Sequence, residues 1–417
     1  MENQRTELLD FYKEHVEKNM LPFWKRALDK EHGGVFTCFK NDGSELISTD
    51  KYVWSQGRFL WIWSTVYEMI VNGQLRGDSE SFKEECIKLK DFLKTNVLLL
   101  DGSCAFLLEK DGTKKEISEG SGYDNSFYAD CFVILGFSRY AEVFLDDSLI
   151  DWILSIYDSV QKRLSSGNFR SEPYPIPAGY KAHSIPMIML NVTQELEAVL
   201  AKFNHVRSME LRDKSIEYMK SIMDEFCDSE NRIGEMLATD MKRDNSMLSR
   251  HLNPGHSIES MWFVMHTAEK YNLRNYINKA AAIVEKSCEL GWDNEFGGLL
   301  RFVDYEGGKP KGVAGSDPYT KLIAETWDYK LWWPHSEVLY STLLLNHLLR
   351  DDKYIGLYNK FHEYVFNTFP NADKEVGEWI QIRRRNGEPE EKVVALPVKD
   401  PYHILRNLLL IIKLLSK

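Results

Sequence analysis

Three loops of this chain are near copies of one another. Asp29-Lys30-Glu31-His32-Gly33-Gly34 leads into Val35-Phe36-Thr37-Cys38-Phe39 and then Asn41-Asp42-Gly43. Asp293-Asn294-Glu295-Phe296-Gly297-Gly298 leads into Leu299-Leu300-Arg301-Phe302-Val303. Asp373-Lys374-Glu375-Val376-Gly377 leads into Trp379-Ile380-Gln381-Ile382, with Asn386-Gly387 beyond. Weaker echoes lie at Asp228-Ser229-Glu230 and at Ala105-Phe106-Leu107-Leu108 with Asp111-Gly112. Each reads as the end of a helix, a short strand and Asx-Gly hairpin chemistry. Between the loops, apolar residues recur at helical spacing. They predict helices over 3–20, 53–73, 79–98, 124–143, 147–165, 186–203, 208–226, 255–271, 274–290, 335–349, 352–369 and 402–416.

These twelve helices fall into six consecutive pairs. A unit of two helices and a hairpin cannot bury its apolar face alone, so the units must stack. Closing the stack on itself removes the open ends of an array. The expected fold is therefore all-α: an (α/α)6 barrel, an inner ring of helices inside an outer one, with short β-hairpins at one mouth. The helix through Trp54, Phe59, Leu60, Trp61, Ile62 and Trp63 is apolar enough to be buried on most sides. No Pro/Ser-rich linker divides the chain, so a single catalytic domain over 1–417 is expected.

Composition narrows the partners. A net charge of −11 argues against nucleic acid. No run approaches the roughly 20 apolar residues of a membrane span, and the start lacks an apolar signal core. The six cysteines form neither CxxC pairs nor a zinc pattern, so a reduced, cytoplasmic protein without a metal is expected. No Gly-rich phosphate fingerprint follows a strand. The 11 tryptophans supply flat rings that suit sugar faces as well as a core.

Candidate chemistry starts at Asn253-Pro254-Gly255-His256-Ser257-Ile258-Glu259. Asn253 and Pro254 read as a helix start, which puts His256 in the first turn and Glu259 on the same face. The positive end of the helix dipole is expected to favour the neutral imidazole, a proton acceptor with a carboxylate beside it. The plainer reading is a capped helix whose histidine only packs. Asp400-Pro401-Tyr402-His403 opens the last helix in the same way, so His403 parallels His256. Arg58, in Trp54-Ser55-Gln56-Gly57-Arg58, is a charge in an apolar helix. It either holds a core carboxylate or faces the cavity beside Trp54 or Trp61. In Trp332-Trp333-Pro334-His335-Ser336-Glu337, Trp333 and Glu337 share a face, a ring beside a carboxylate.

Two histidines across one cavity suit the removal of a proton next to a sugar carbonyl and its return to the opposite face. Arg58 would stabilise the enediolate between the two steps. Such chemistry requires neither a redox cofactor nor a metal.

These motifs, with Leu21-Pro22-Phe23-Trp24 and Glu31-His32-Gly33-Gly34, resemble those of the N-acylglucosamine 2-epimerase family from near residue 20 to near residue 406. The resemblance implies an (α/α)6 barrel and a cytoplasmic enzyme interconverting N-acyl-D-glucosamine and N-acyl-D-mannosamine. It implies His256 and His403 as the acid/base pair and Arg58 on the reacting oxygens. Glu259 would support His256 or assist ring opening, and Trp333, Glu337, Trp54 and Tyr128 would contact the sugar. It implies a nucleotide as effector in part of the family, with no site located here, and is compatible with a homodimer.

The wider superfamily holds cellobiose 2-epimerases and mannose-type aldose–ketose isomerases, which carry a further histidine on the helix beginning Ser184-Ile185-Pro186. Here that helix offers Ile188, with His183 several residues away, which favours the N-acyl branch. A glycosidase using Glu259 and Glu337 and a non-catalytic binding protein are the readings from other classes.

Overall fold

The computed structural model describes residues 2–417 apart from 241–243 and 395, and of residues 2–4 the backbone alone. Six helices form the inner ring: α1 (Val53–Val71), α2 (Phe127–Phe144), α3 (Ser184–Lys202), α4 (Pro254–Lys270), α5 (Trp332–Leu349) and α6 (Tyr402–Leu415). Each packs on the next, and α6 returns onto α1, which closes the barrel. Outside them stand Glu2–His15, Ser79–Asn96, Ile150–Ser166, Ser208–Lys220, Arg274–Gly291 and Lys353–Thr368. The expected (α/α)6 barrel is the observed fold.

Pairing in space is offset by one helix from pairing along the chain. Each outer helix leans on the inner helix just before it, and Glu2–His15 leans on α6. The cause is loop length: the short links, such as 72–78, join antiparallel neighbours, while the hairpin-bearing links step to the next unit. The first outer helix runs on past the expected end through a π-helical turn, Val16–Met20, into Leu21–Arg26. Two short helices, Met247–Arg250 and Pro318–Thr326, were not expected; both lie within connections and are too short to show a period. Among the described residues no helix is long and apolar enough to cross a membrane.

The hairpins gather at the amino-terminal ends of the inner helices. Lys51–Tyr52, Tyr180–Ala182, His251–Leu252 and Lys330–Leu331 precede α1, α3, α4 and α5. Each pairs antiparallel with a strand from the following connection: Leu107–Leu108, Met236–Ala238, Val303–Asp304 and Ile382–Arg383. The three loop copies share one turn. Gly33 N–H donates to Asp29 O at 3.0 Å, Gly297 to Asp293 at 2.8 Å and Gly377 to Asp373 at 3.0 Å.

A buried lysine staples two of these turns. Lys51 Nζ donates to Asp29 and to Gly33 O, both at 2.7 Å. Lys330 Nζ donates to Asp293 at 3.1 Å and to Gly297 O. Five residues after each lysine, an inner-helix side chain takes the backbone N–H that follows the turn. Gln56 Oε1 accepts from Val35 at 2.9 Å, and His335 Nε2 from Leu299 at 2.8 Å. His335 is therefore a structural clamp, its pKa depressed to about 3 by burial.

The inner ring is tightest where α1 crosses α2. A Cβ on Gly57 would lie 2.4 Å from the Phe132 carbonyl oxygen, and one on Gly136 2.4 Å from that of Gly57. Only glycine allows that approach.

Candidate active site

The hairpins and the inner-helix amino termini surround a cavity of about 220 Å³, somewhat below the roughly 300–1,000 Å³ usual for ligand pockets. Its wall includes Trp54, Arg58, Tyr128, His256, Trp333 and His403. The two histidines are placed by the same local device. Asn253 Oδ1 accepts from His256 N–H at 3.2 Å, capping α4. Asp400 accepts from Tyr402 N–H at 3.0 Å and from His403 N–H at 3.3 Å, capping α6. Each cap is followed by proline and, two residues later, by the histidine.

Trp333 packs against both rings. Its centroid lies 4.9 Å from that of His256 and 5.6 Å from that of His403. Gly255 makes the space, since a Cβ there would fall 2.5 Å from the Trp333 ring.

Each imidazole is held from behind by a buried carboxylate. His256 Nδ1 lies 2.8 Å from Glu235 Oε1, and His403 Nδ1 lies 2.7 Å from Glu337 Oε1. With Nδ1–H donating to the carboxylate, Nε2 is the nitrogen left to the cavity on both rings. At His403 that nitrogen meets Arg58 Nη2 at 3.4 Å.

Arg58 does both things its position suggested. Nη1 pairs with Asp400 at 3.3 Å, and the guanidinium lies over Trp54 and Phe132 at 4.7 and 4.0 Å while lining the cavity. The arrangement can take a proton at one Nε2, give one from the other, and hold negative charge with the guanidinium.

Comparison with known proteins agrees. The family model for N-acylglucosamine 2-epimerase (GlcNAc 2-epimerase) matches residues 34–407. The chain belongs to the N-acylglucosamine 2-epimerase family. It is 27% identical to the N-acylglucosamine 2-epimerase of Mus musculus, over 98% of this chain and 92% of that protein. It is 28% identical to that of Homo sapiens, over 98% and 91%. It is also 23% identical to a D-mannose isomerase of Marinomonas mediterranea, over 95% and 94%. The fold is shared with the cellobiose 2-epimerase of Spirochaeta thermophila, at a TM-score of 0.77 and 15% identity, over 99% of this chain and 98% of that one.

Several expected roles change within this epimerase-family barrel. The helix field was expected to keep His256 neutral. Burial does depress its imidazolium, but Glu235 and, farther off, Glu259 outweigh burial, and the pKa is raised. A full negative charge at 2.8 Å overrides the partial charges of a helix end. Glu259 does not bond His256. It accepts from Arg406 Nη2 at 2.5 Å and lies 3.7 Å from His403 Nδ1. Glu337 was expected against substrate, but it is fully buried and absent from the cavity wall. His403, Arg406 and Trp262 Nε1 each bond it at 2.7 Å, so it positions His403.

Because Glu259 and Glu337 share Arg406 Nη2, they sit on one side and do not flank a glycosidic bond. Ligand-type atoms of Glu259, Glu337 and His403 lie within 4.8 Å of one another, but the Arg406 guanidinium already supplies the cation there.

Trp54 and Tyr128, expected to contact the sugar, line the cavity, and Tyr128 O–H donates to Ser184 at 2.8 Å. Ile188 faces the cavity, whereas His183 is buried outside it, its Nδ1 3.7 Å from Glu235 Oε2. Sequence reasoning missed Glu235, the partner of His256. Its one signal is a lone acid at the head of the apolar strand Met236-Leu237-Ala238, in a loop already recognised as a repeat. Asp400 and Arg406 lay inside recognised motifs without a role.

Proposed function

We propose that this protein is a sugar 2-epimerase acting on N-acyl-D-glucosamine and N-acyl-D-mannosamine. One observation carries the reading: two imidazoles, each with Nδ1 bonded to a buried carboxylate, line one cavity and pack against one tryptophan ring. The curated relatives named above are epimerases and an isomerase, which points the same way.

In the open-chain sugar the C2 hydrogen is acidified by the C1 carbonyl. His403 Nε2 removes it, and electron density moves onto O1, where Arg58 stabilises the 2-acylamino enolate. His256, whose protonated form Glu235 favours, returns a proton to the opposite face of C2. The reverse reaction exchanges the two roles. One proton leaves and one arrives, so no redox partner enters the balance.

The test is incubation with N-acetylmannosamine and chromatographic analysis of the products. N-acetylglucosamine as the product supports the reading. A ketose from a mannose-type sugar, with N-acetylmannosamine untouched, would move the chain to the C1–C2 isomerases.

A further inference from the structure

Arg301 is buried in the wall of the same cavity. Its Nη1 donates to Thr326 Oγ1 at 2.9 Å and its Nη2 to the Val394 carbonyl at 3.2 Å. Both acceptors are neutral, as are Tyr174, with which the guanidinium also hydrogen-bonds, and the nearby Tyr319 and Tyr329. Other guanidinium groups of the barrel interior meet carboxylates: Arg58 on Asp400, Arg139 on Glu68 and Glu142, Arg406 on Glu259 and Glu337. Arg301 has no such partner among the described residues. Arg383 shares that property, but it donates to the Gly387 carbonyl, lies over Phe369 and stands outside the cavity.

A buried charge without a counter-charge is costly unless a ligand brings one. A guanidinium fork matches the paired oxygens of a carboxylate or a phosphate. The Arg301 charge also opposes the His256 imidazolium, and Arg58 stands by His403. The cavity thus has one guanidinium for the reacting oxygen and a second, with donors to spare, for another part of the ligand.

We propose that Arg301 is a substrate-binding residue that takes a carboxylate or phosphate carried by the sugar, so that this chain prefers an anionic 2-acylamino sugar to a neutral one. The proposal rests on the sugar reading above. It is tested by calorimetric binding, which needs no turnover. The probes are N-acetylglucosamine, its 6-phosphate, and N-acetylmuramic acid, which carries a carboxylate on an ether at O3. One of the two anionic sugars is expected to bind about tenfold or more tightly than the neutral one. The arm that gains identifies phosphate or carboxylate.

Arg301→Gln should erase that preference, and Arg301→Lys should keep part of it. If Arg301→Gln does not fold, displacement of the tighter anionic sugar from the wild-type protein by inorganic phosphate decides in its place. Equal binding of all three sugars, a preference that survives Arg301→Gln in a protein of unchanged melting temperature, or no displacement by phosphate would overturn the proposal. Arg301-dependent anion preference without chemistry at C2 would sink the epimerase reading and leave this one standing. Turnover of N-acetylglucosamine without any anion preference would do the reverse.

Discussion

Replacing Glu235 with glutamine removes one charge and little volume. In the wild-type protein, burial lowers the His256 pKa and the Glu235 carboxylate, 2.8 Å from Nδ1, more than restores it. A hydrogen bond to a charged group contributes about 1.5–3 kcal/mol. At 1.36 kcal/mol per pKa unit, its loss lowers the His256 pKa by about one to two units. At pH values above the wild-type His256 pKa the imidazolium fraction then falls by about 10- to 100-fold, and with it the rate in the direction that takes a proton from His256; below that pKa the loss is smaller. The limb along which activity is lost with rising pH moves down by the same one to two units, roughly, since the imidazolium is the active form.

The folded His256 pKa lies above the unfolded value. The wild-type pair's contribution to stability is therefore complete below about pH 6.5 and fades as pH rises through the folded pKa. The glutamine variant should lack that dependence. The assays are kcat/KM for epimerisation across pH and an NMR titration of the His256 ring. A His256 titration unmoved in Glu235→Gln would refute the reasoning.

Gly255→Ala puts a Cβ 2.5 Å from the Trp333 ring, so the ring must move. Kinetics should show about 100-fold lower turnover, while the better helix propensity of alanine, about 1 kcal/mol, limits the loss of melting temperature. Arg58→Met should lower kcat by about 10²–10³, the usual loss for an oxyanion donor, with a smaller change in KM. Lys51→Met leaves Asp29 buried without its cation and should cost about 3–5 kcal/mol in denaturant unfolding. Lys330→Met should cost less, because Arg385 still pairs with Asp293 at 2.9 Å.

What was legible in the sequence is what short range decides. Asx-Gly turns, the Asp-to-Gly loops and helical periods are local, and they were enough for a closed ring of helix pairs. The Asx-Pro caps before His256 and His403 are local too, and they place both rings. The partners of those rings are not local. Glu235 reaches His256 from the preceding hairpin, and Glu337 reaches His403 from the neighbouring helix α5.

Helix spacing proposed Glu259 for His256, but the wall is shared between helices, and Arg406 of α6 captured that carboxylate. Likewise a tryptophan and an acid on one helical face, Trp333 and Glu337, ended on different sides of the cavity wall. Arg301 read as an ordinary strand residue, because its lack of a counter-charge exists only in three dimensions.

The central claim is that two histidines serve one carbon from opposite faces. Proton NMR of the C2 hydrogen in deuterated water, for the wild-type protein and for His256→Asn and His403→Asn, tests it most directly. The account predicts exchange with interconversion in the wild type. In each single variant it predicts no interconversion, with slow exchange surviving in only one epimer and the surviving epimer differing between the two variants. Interconversion at wild-type rate in either variant would contradict it.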